Sequence, residues 1–457
     1  MARVLRKFIW LGALVSVAAT NLATGCNRNE PVQAVITIDP SKVYQTISAW
    51  EATAQAGQDF ASYPTYRDEL ISSAVNDLGI NRLRVEARSG FETTAANASL
   101  GSRDKRYEIV NDNDDPFQID PAGFSFADLD KTIEQVVLPM RKLLDDRGER
   151  LFVNLNYVDF GPSDFEHKEN PEEYAEFILA VFLHMKEKYG FVPDTVEAIL
   201  EPDTDAADWT PTQVANAIAA AAPRLKANGF EPAFIAPSTK DAAAALDYID
   251  EIANVAGALE PVVEFAYHRY SGVSEDVLKS IAERSSRHGK RTSMLERIGA
   301  DQKALHDDLT LANVSSWQQY TLAFSGNDDG DSYFKVDSED KDAKIAIGRR
   351  TRYLSQYFRH VRPGAVRIGA STTNTGIDSV AFKNPDGSLI IVLNAKSPGT
   401  AEVAGLPRRS YSASYTNERD SGMLFRNSEV AHGKELVVDI PSTGVVTIYT
   451  DGAATGD

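Results

Sequence analysis

The chain has 457 residues, 43% of them apolar and 25% charged, with a formal charge of −19. That composition supplies an ordinary globular core and excludes collagen, coiled coil or disorder as the main state. The acidic balance argues against a nucleic-acid partner, whose binders present basic surface. The single cysteine, Cys26, excludes an intrachain disulfide and a CxxC zinc motif, and the seven histidines show no HExxH spacing. No cofactor and no metal site are expected from these patterns.

Residues 1–25 read as a targeting segment rather than as fold. Arg3, Arg6 and Lys7 precede an apolar run from Phe8 to Ala19, which is too short to span a bilayer comfortably. The run ends in Leu22-Ala23-Thr24-Gly25-Cys26. This resembles a bacterial lipoprotein signal, in which Cys26 is lipidated and becomes the new N-terminus. The other reading is a plain secretory signal cut nearby. The resemblance implies a protein held at the bacterial cell envelope by lipid alone, or else secreted. Residues 26–43 follow as a tether and a short N-terminal strand at Val35 to Ile38.

From 44 to 362, strand-like runs alternate with helical patterns, the mark of repeated βα units. The clearest helix is Pro171 to Tyr189, where Tyr174, Phe177, Ile178, Val181, Phe182 and Met185 fall on one stripe. Asn170 is its expected N-cap and Gly190 its stop. Further helices are expected at Tyr66–Leu78, Phe126–Arg147, Pro211–Asn228, Lys240–Asn254, Ser274–His288, Gln302–Ala312 and Lys344–His360. The strands between them are Gln45–Trp50, Arg82–Glu86, Leu151–Asn156, Thr195–Leu200, Pro232–Ala236, Val262–Tyr267, Arg291–Leu295 and Ser316–Leu322. Eight of each predict an α/β chain folded as a (β/α)8 TIM barrel. After Pro363 the pattern changes to alternating strands with turns such as Asn384-Pro385-Asp386-Gly387, which predicts a β-sandwich over 363–452. The strand near Val35 is expected to pair with it and make that domain discontinuous.

A barrel of this kind carries its chemistry at the C-terminal ends of its strands. Glu201 follows the fourth strand and Glu296 closes the seventh, on opposite sides of the mouth. Two carboxylates so placed suit retaining glycoside hydrolysis, in which one protonates the leaving oxygen and the other attacks the anomeric carbon. Either residue taken alone reads equally well as a surface glutamate.

Several stretches carry a family resemblance. They are Tyr44-Gln45-Thr46-Ile47, the helix leading to Glu201-Pro202, His268-Arg269-Tyr270, Ser316-Trp317-Gln318, Phe358 to Gly364 and Phe382 to Ser388. In order and spacing they resemble glycoside hydrolase family 30, a barrel-plus-sandwich group within a clan of retaining β-glycosidases. The resemblance implies Glu201 as acid/base, Glu296 as nucleophile and a carbohydrate substrate. It also implies Arg84 beside the nucleophile, where its guanidinium would orient the carboxylate. Tyr270 is expected on the nucleophile or a sugar hydroxyl, and His268 and Tyr157 in the subsite wall. Trp317 is expected against a sugar face, with a packed core tryptophan as its other reading. The clan places Asn before the acid/base, and here that position is Leu200. Asn156 is a candidate for supplying the missing amide.

Arg88, Arg269 and Arg297 follow strand ends and suggest an acidic-sugar subsite, unless they serve only to neutralise neighbouring glutamates. The acidic stretches Asn111–Asp115 and Asn327–Asp331 lack the EF-hand spacing and read as solvated loops. The leading reading is a lipid-anchored retaining β-glycosidase acting on a β-linked oligo- or polysaccharide. Its rivals are an inactive carbohydrate-binding lipoprotein, suggested by Leu200, and a barrel hydrolase with another bond target.

Overall fold

The structure is a computed structural model describing residues 33–92, 109–160, 165–324, 330–337, 342–419, 422–424, 428–429 and 436–450. The targeting segment, Cys26 and Asn327 to Asp329 lie outside these residues. Strand β1 (Ala34–Thr46) belongs to the C-terminal sheet. The barrel follows as eight parallel strands, β2 (Ala49–Thr53), β3 (Arg82–Arg88), β4 (Phe152–Val158), β5 (Thr195–Glu197), β6 (Phe234–Asp241), β7 (Val262–Ser271), β8 (Arg291–Glu296) and β9 (Val314–Phe324). Pairing of β9 with both β8 and β2 closes it.

The first barrel strand starts later than the sequence pattern predicts. Gln45 and Thr46 finish β1, and the chain then crosses between domains. There the Ile47 N–H donates to Ala365 O at 2.8 Å and the Ser48 N–H to Ser315 O at 2.7 Å. The apolar run Gln45–Trp50 is thus shared by two sheets. The β5 ladder is short, but Ala198 N–H bonds Ile235 O and Leu200 N–H bonds Tyr157 O, so the chain stays between its neighbours up to Glu201.

The helices are α1 (Tyr63–Ser72), α2 (Ala127–Thr132), α3 (Leu138–Asp145), α4 (Pro171–Tyr189), α5 (Pro211–Ala227), α6 (Ala244–Asn254), α7 (Glu275–His288), α8 (Gln302–Thr310) and α9 (Thr351–Phe358). The expected helix over 126–147 is α2 and α3 joined by a π-helical turn at Ile133–Val137. Pro139 has no N–H to return to the preceding turn, so regular α pairing fails there. Helix α4 buries all six residues of its predicted stripe. Asn170 makes no capping bond, however; its amide donates to Glu166 O instead. In place of the expected helix start at Lys344, β10 (Ser332–Val336) and β11 (Ile345–Ile347) extend the sheet beyond β9, and the last helix begins at Thr351.

The sandwich contains β12 (Val366–Thr372), β13 (Ile377–Lys383), β14 (Leu389–Ala395), β15 (Gly399–Ala404), β16 (Ser410–Thr416), β17 (Met423–Leu424), β18 (Ser428–Glu429), β19 (Leu436–Ile440) and β20 (Gly444–Thr450). Strand β1 lies between β12, antiparallel, and β15, parallel, so the C-terminal sheet draws a strand from the N-terminal end of the described residues. Every residue of β14 is buried. Its Ile391 and Leu393 face the sandwich core, while Ile390 and Val392 join the barrel core. Alternation along one strand therefore ties the two domains together.

Candidate active site

Alternation along β3 turns Arg82, Arg84, Glu86 and Arg88 into the barrel, one above another. Arg82 pairs with Glu51 at 2.8 Å and Glu264 at 3.0 Å near the floor. Burial pushes Glu51 up to about 7 against the pull of Arg82. Above them Arg84 donates to Glu296, to Thr53 Oγ1 at 3.1 Å and to Leu295 O at 3.5 Å, and lies 3.9 Å from Glu197. Burial opposes its charge, but Glu296 and Glu197 outweigh that and hold the guanidinium more firmly protonated than usual. At the rim Arg88 pairs with Glu86, which also accepts from Gln55 at 3.3 Å.

Glu296 sits where the β7–β8 register slips, between the pairs Tyr267–Met294 and His268–Glu296. Its second oxygen accepts from Tyr270 OH at 2.9 Å. Glu201 stands at φ 48°, a left-handed conformation that is strained for a glutamate and that marks functional sites more often than chance. Its N–H donates to Ser238 O at 3.1 Å. His268 Nδ1 lies 3.0 Å from Glu201 Oε1. Burial raises the Glu201 carboxyl, yet the His268 hydrogen bond and charge, with Lys240 and Arg84, bring it net below the usual carboxylate range. An oxygen of Glu201, a ring nitrogen of His268 and an oxygen of Glu296 all lie within 4.8 Å of one another. Two carboxylates and an imidazole are a possible ligand set, but the guanidinium against Glu296 disfavours a cation there.

The structure brings Glu201, Glu296, Arg84, His268 and Tyr270 together. Asn156 also faces the interior, two residues above Asn154, whose amide bonds Glu51 and Glu197. Both amide atoms of Asn156 are buried without a partner. Two expectations are corrected. Tyr157 falls on the opposite face of β4, packs edge-on against Tyr174 and Phe177, and bonds His167 Nδ1 at 2.7 Å. Trp317 likewise points outward, with its Nε1 donating to Asp308 at 2.8 Å and its ring against Phe358. Period two decides both, because Asn154 and Gln318, their neighbours in sequence or register, occupy the lumen.

Arg269 also points outward, to Asp308, so it leaves the expected acidic-sugar subsite. Arg88 serves Glu86, and Arg297 lies 5.1 Å over the Tyr270 ring. Sequence reasoning missed Tyr320, whose hydroxyl is pushed above its usual range by burial and by Glu296 and Glu86. Its place on β9, two residues beyond the inward Gln318, was the available signal. Lys240, 5.8 Å from the Tyr270 ring centre, was missed as well.

Residues 364–415 match the family model of the glycosyl hydrolase family 30 beta sandwich domain. No curated protein matches the chain in sequence. Among solved structures, the chain is similar to a GH30 endoxylanase from Clostridium papyrosolvens C71, at 18% identity and TM-score 0.66, covering 92% of this chain and 100% of that one. A conserved exported protein from Bacteroides fragilis aligns at 14% identity and TM-score 0.70, over 91% and 100% of the two chains. The endo-beta1,6-glucanase BT3312 aligns at 16% identity and TM-score 0.65, over 92% and 95%. At these identities the structures show the fold. Barrel, sandwich and family model together define the class, a glycosidase built as a (β/α)8 barrel with a C-terminal β-sandwich. Within that class, the segment 364–415 carries the glycosyl hydrolase family 30 beta sandwich domain, the family that the sequence resembles.

Proposed function

We propose that this glycosidase is a retaining β-glycoside hydrolase acting on a β-linked oligo- or polysaccharide, with Glu201 as acid/base and Glu296 as nucleophile. The observation that carries the reading is the approach of Glu201 and Glu296 oxygens to within 4.8 Å at the barrel mouth. Retaining pairs hold their carboxyl groups about 5–5.5 Å apart, whereas inverting pairs leave roughly 6.5–9.5 Å for a water. Arg84 and Tyr270 each engage one Glu296 oxygen, which fixes the carboxylate for attack on the anomeric carbon. Glu201 gives its proton to the departing oxygen and then takes one from the water that resolves the glycosyl-enzyme. Asn156 offers a buried amide in place of the one absent at Leu200. The named activities of the endoxylanase and the endo-β1,6-glucanase point to β-linked glycans as the first substrates to try.

Glu296→Gln is expected to abolish turnover of every substrate. Glu201→Gln is expected to spare activated aryl β-glycosides, which depart without protonation, while poor leaving groups suffer 10²-fold or more. Equal losses for both leaving-group classes in the Glu201 variant would refute the acid/base role.

Lipid anchoring at Cys26 is part of the same proposal and rests on the sequence alone. Among the described residues no helix is long and apolar enough to cross a membrane. Cys26→Ala is expected to move the protein from the membrane fraction to the soluble one. Persistence of the variant with membranes in high salt would overturn the anchor.

A further inference from the structure

Outside the catalytic mouth, the loop before α2 meets the first turns of α4. Oxygens of Asp112, Glu173 and Glu176 there lie within 4.8 Å of one another. Glu173 and Glu176 share a helix face, three residues apart, and both are buried. Asp112 is locked in place. Its Oδ2 accepts from Asp120 N–H at 2.6 Å and Asn113 Nδ2 at 2.9 Å. Gly123 presses so close that a Cβ there would stand 2.3 Å from Asp112 Cβ.

An orphaned atom points to a ligand. Glu173 is only 7% exposed, and its Oε2 is sealed from solvent without a hydrogen-bond partner. Asp112 Oδ1 and Asn111 Oδ1 are buried and unpartnered as well. Asn111 Nδ2 reaches Glu173 Oε1 at 3.4 Å, which keeps the amide beside the cluster. Buried carboxylate oxygens without donors are costly. Arg224 lies 3.4 Å from Glu176.

We infer that Asp112, Glu173 and Glu176 form a divalent-cation site of calcium chemistry. The donors are all hard oxygens, with no nitrogen or sulfur to favour zinc or copper. Calcium takes 6–8 oxygens at about 2.3–2.6 Å, so ligands on opposite sides of it stand about 5 Å apart, the span of this cluster. Magnesium prefers a tighter octahedron and keeps more of its water. The ion joins the loop after β3 to the start of α4, near the contact of His167 Nε2 with Glu92 at 3.2 Å. It therefore fastens two rim segments and takes no part in bond cleavage.

The test is calorimetric titration of chelator-stripped protein with calcium chloride, together with melting curves. One calcium per chain is expected, with Tm several degrees higher in about 1 mM calcium than in EDTA, and a smaller shift with magnesium. Asp112→Asn and Glu173→Gln should each weaken calcium binding tenfold or more and remove the Tm shift. In EDTA both should melt no lower than the wild type, because like-charge repulsion falls. The site is refuted if stripped, folded wild-type protein takes up no calcium, or if both variants keep the full response. Equal shifts from magnesium and calcium would overturn the calcium assignment. None of these readouts depends on glycosidase activity.

Discussion

Removing the His268 ring changes the proton affinity of Glu201 in a direction that the geometry fixes. In the free enzyme His268 Nδ1 lies 3.0 Å from Glu201 Oε1, and this contact is the main reason the carboxyl sits below its usual range despite burial. A hydrogen bond to a charged group is worth about 1.5–3 kcal/mol, and one pKa unit is about 1.4 kcal/mol. Losing the bond should raise the Glu201 pKa. The acid in glycosylation must be protonated, so kcat/KM falls as pH rises through that pKa, and the alkaline limb reports it. His268→Ala should therefore carry the limb to higher pH, even where the peak rate drops. His268→Asn, whose amide nitrogen can stand in for Nδ1, should return the limb most of the way. The assay is the pH profile of kcat/KM on the best-cleaved β-glycoside with a poor leaving group. A limb that stays put or moves down in a normally folded His268→Ala variant would refute the reasoning.

The outward placement of Trp317 makes a separate prediction. Asp308 is fully buried and accepts from Tyr267, Arg269 and Trp317. Trp317→Phe removes one of these donors and should cost about 1–3 kcal/mol, read as a lower Tm, with KM unchanged. A raised KM at unchanged Tm would restore the sugar-stacking role.

Much of the fold was legible because its patterns are periodic. The stripe of α4 and the order of alternating strands and helices needed only spacing. Glu201 and Glu296 were legible as strand-end carboxylates. Orientation was harder. The two-residue period held the information that Tyr157 and Trp317 face the helices, but applying it required knowing that Asn154 and Gln318 face inward. Glu296 breaks the period, since Leu295 before it belongs to the interior apolar cluster, and the register slip that turns it to the mouth leaves no mark in the sequence. The Asp112–Glu173–Glu176 cluster joins residues about sixty positions apart. An acidic first turn such as Glu172-Glu173 reads as ordinary helix-start chemistry until the loop is seen to cover it.

Strand β3 shows why local composition misleads in this barrel. Arg82-Leu83-Arg84-Val85-Glu86-Ala87-Arg88 looks like a strand with one face in water, yet Arg82 and Arg84 are fully buried. A carboxylate is held near each of these charges, because an unpaired charge in the lumen would be prohibitive. Arg82 takes Glu51 and Glu264, Arg84 takes Glu296 with Glu197 close by, and Arg88 takes Glu86. The contact on the proposed nucleophile is thus one rung of a ladder built from the floor upward. Thr53 Oγ1 and Leu295 O also engage the Arg84 guanidinium, so its direction is set before any substrate arrives. Orienting Glu296 then requires no motion during the reaction, which is the condition under which a buried ion pair serves catalysis.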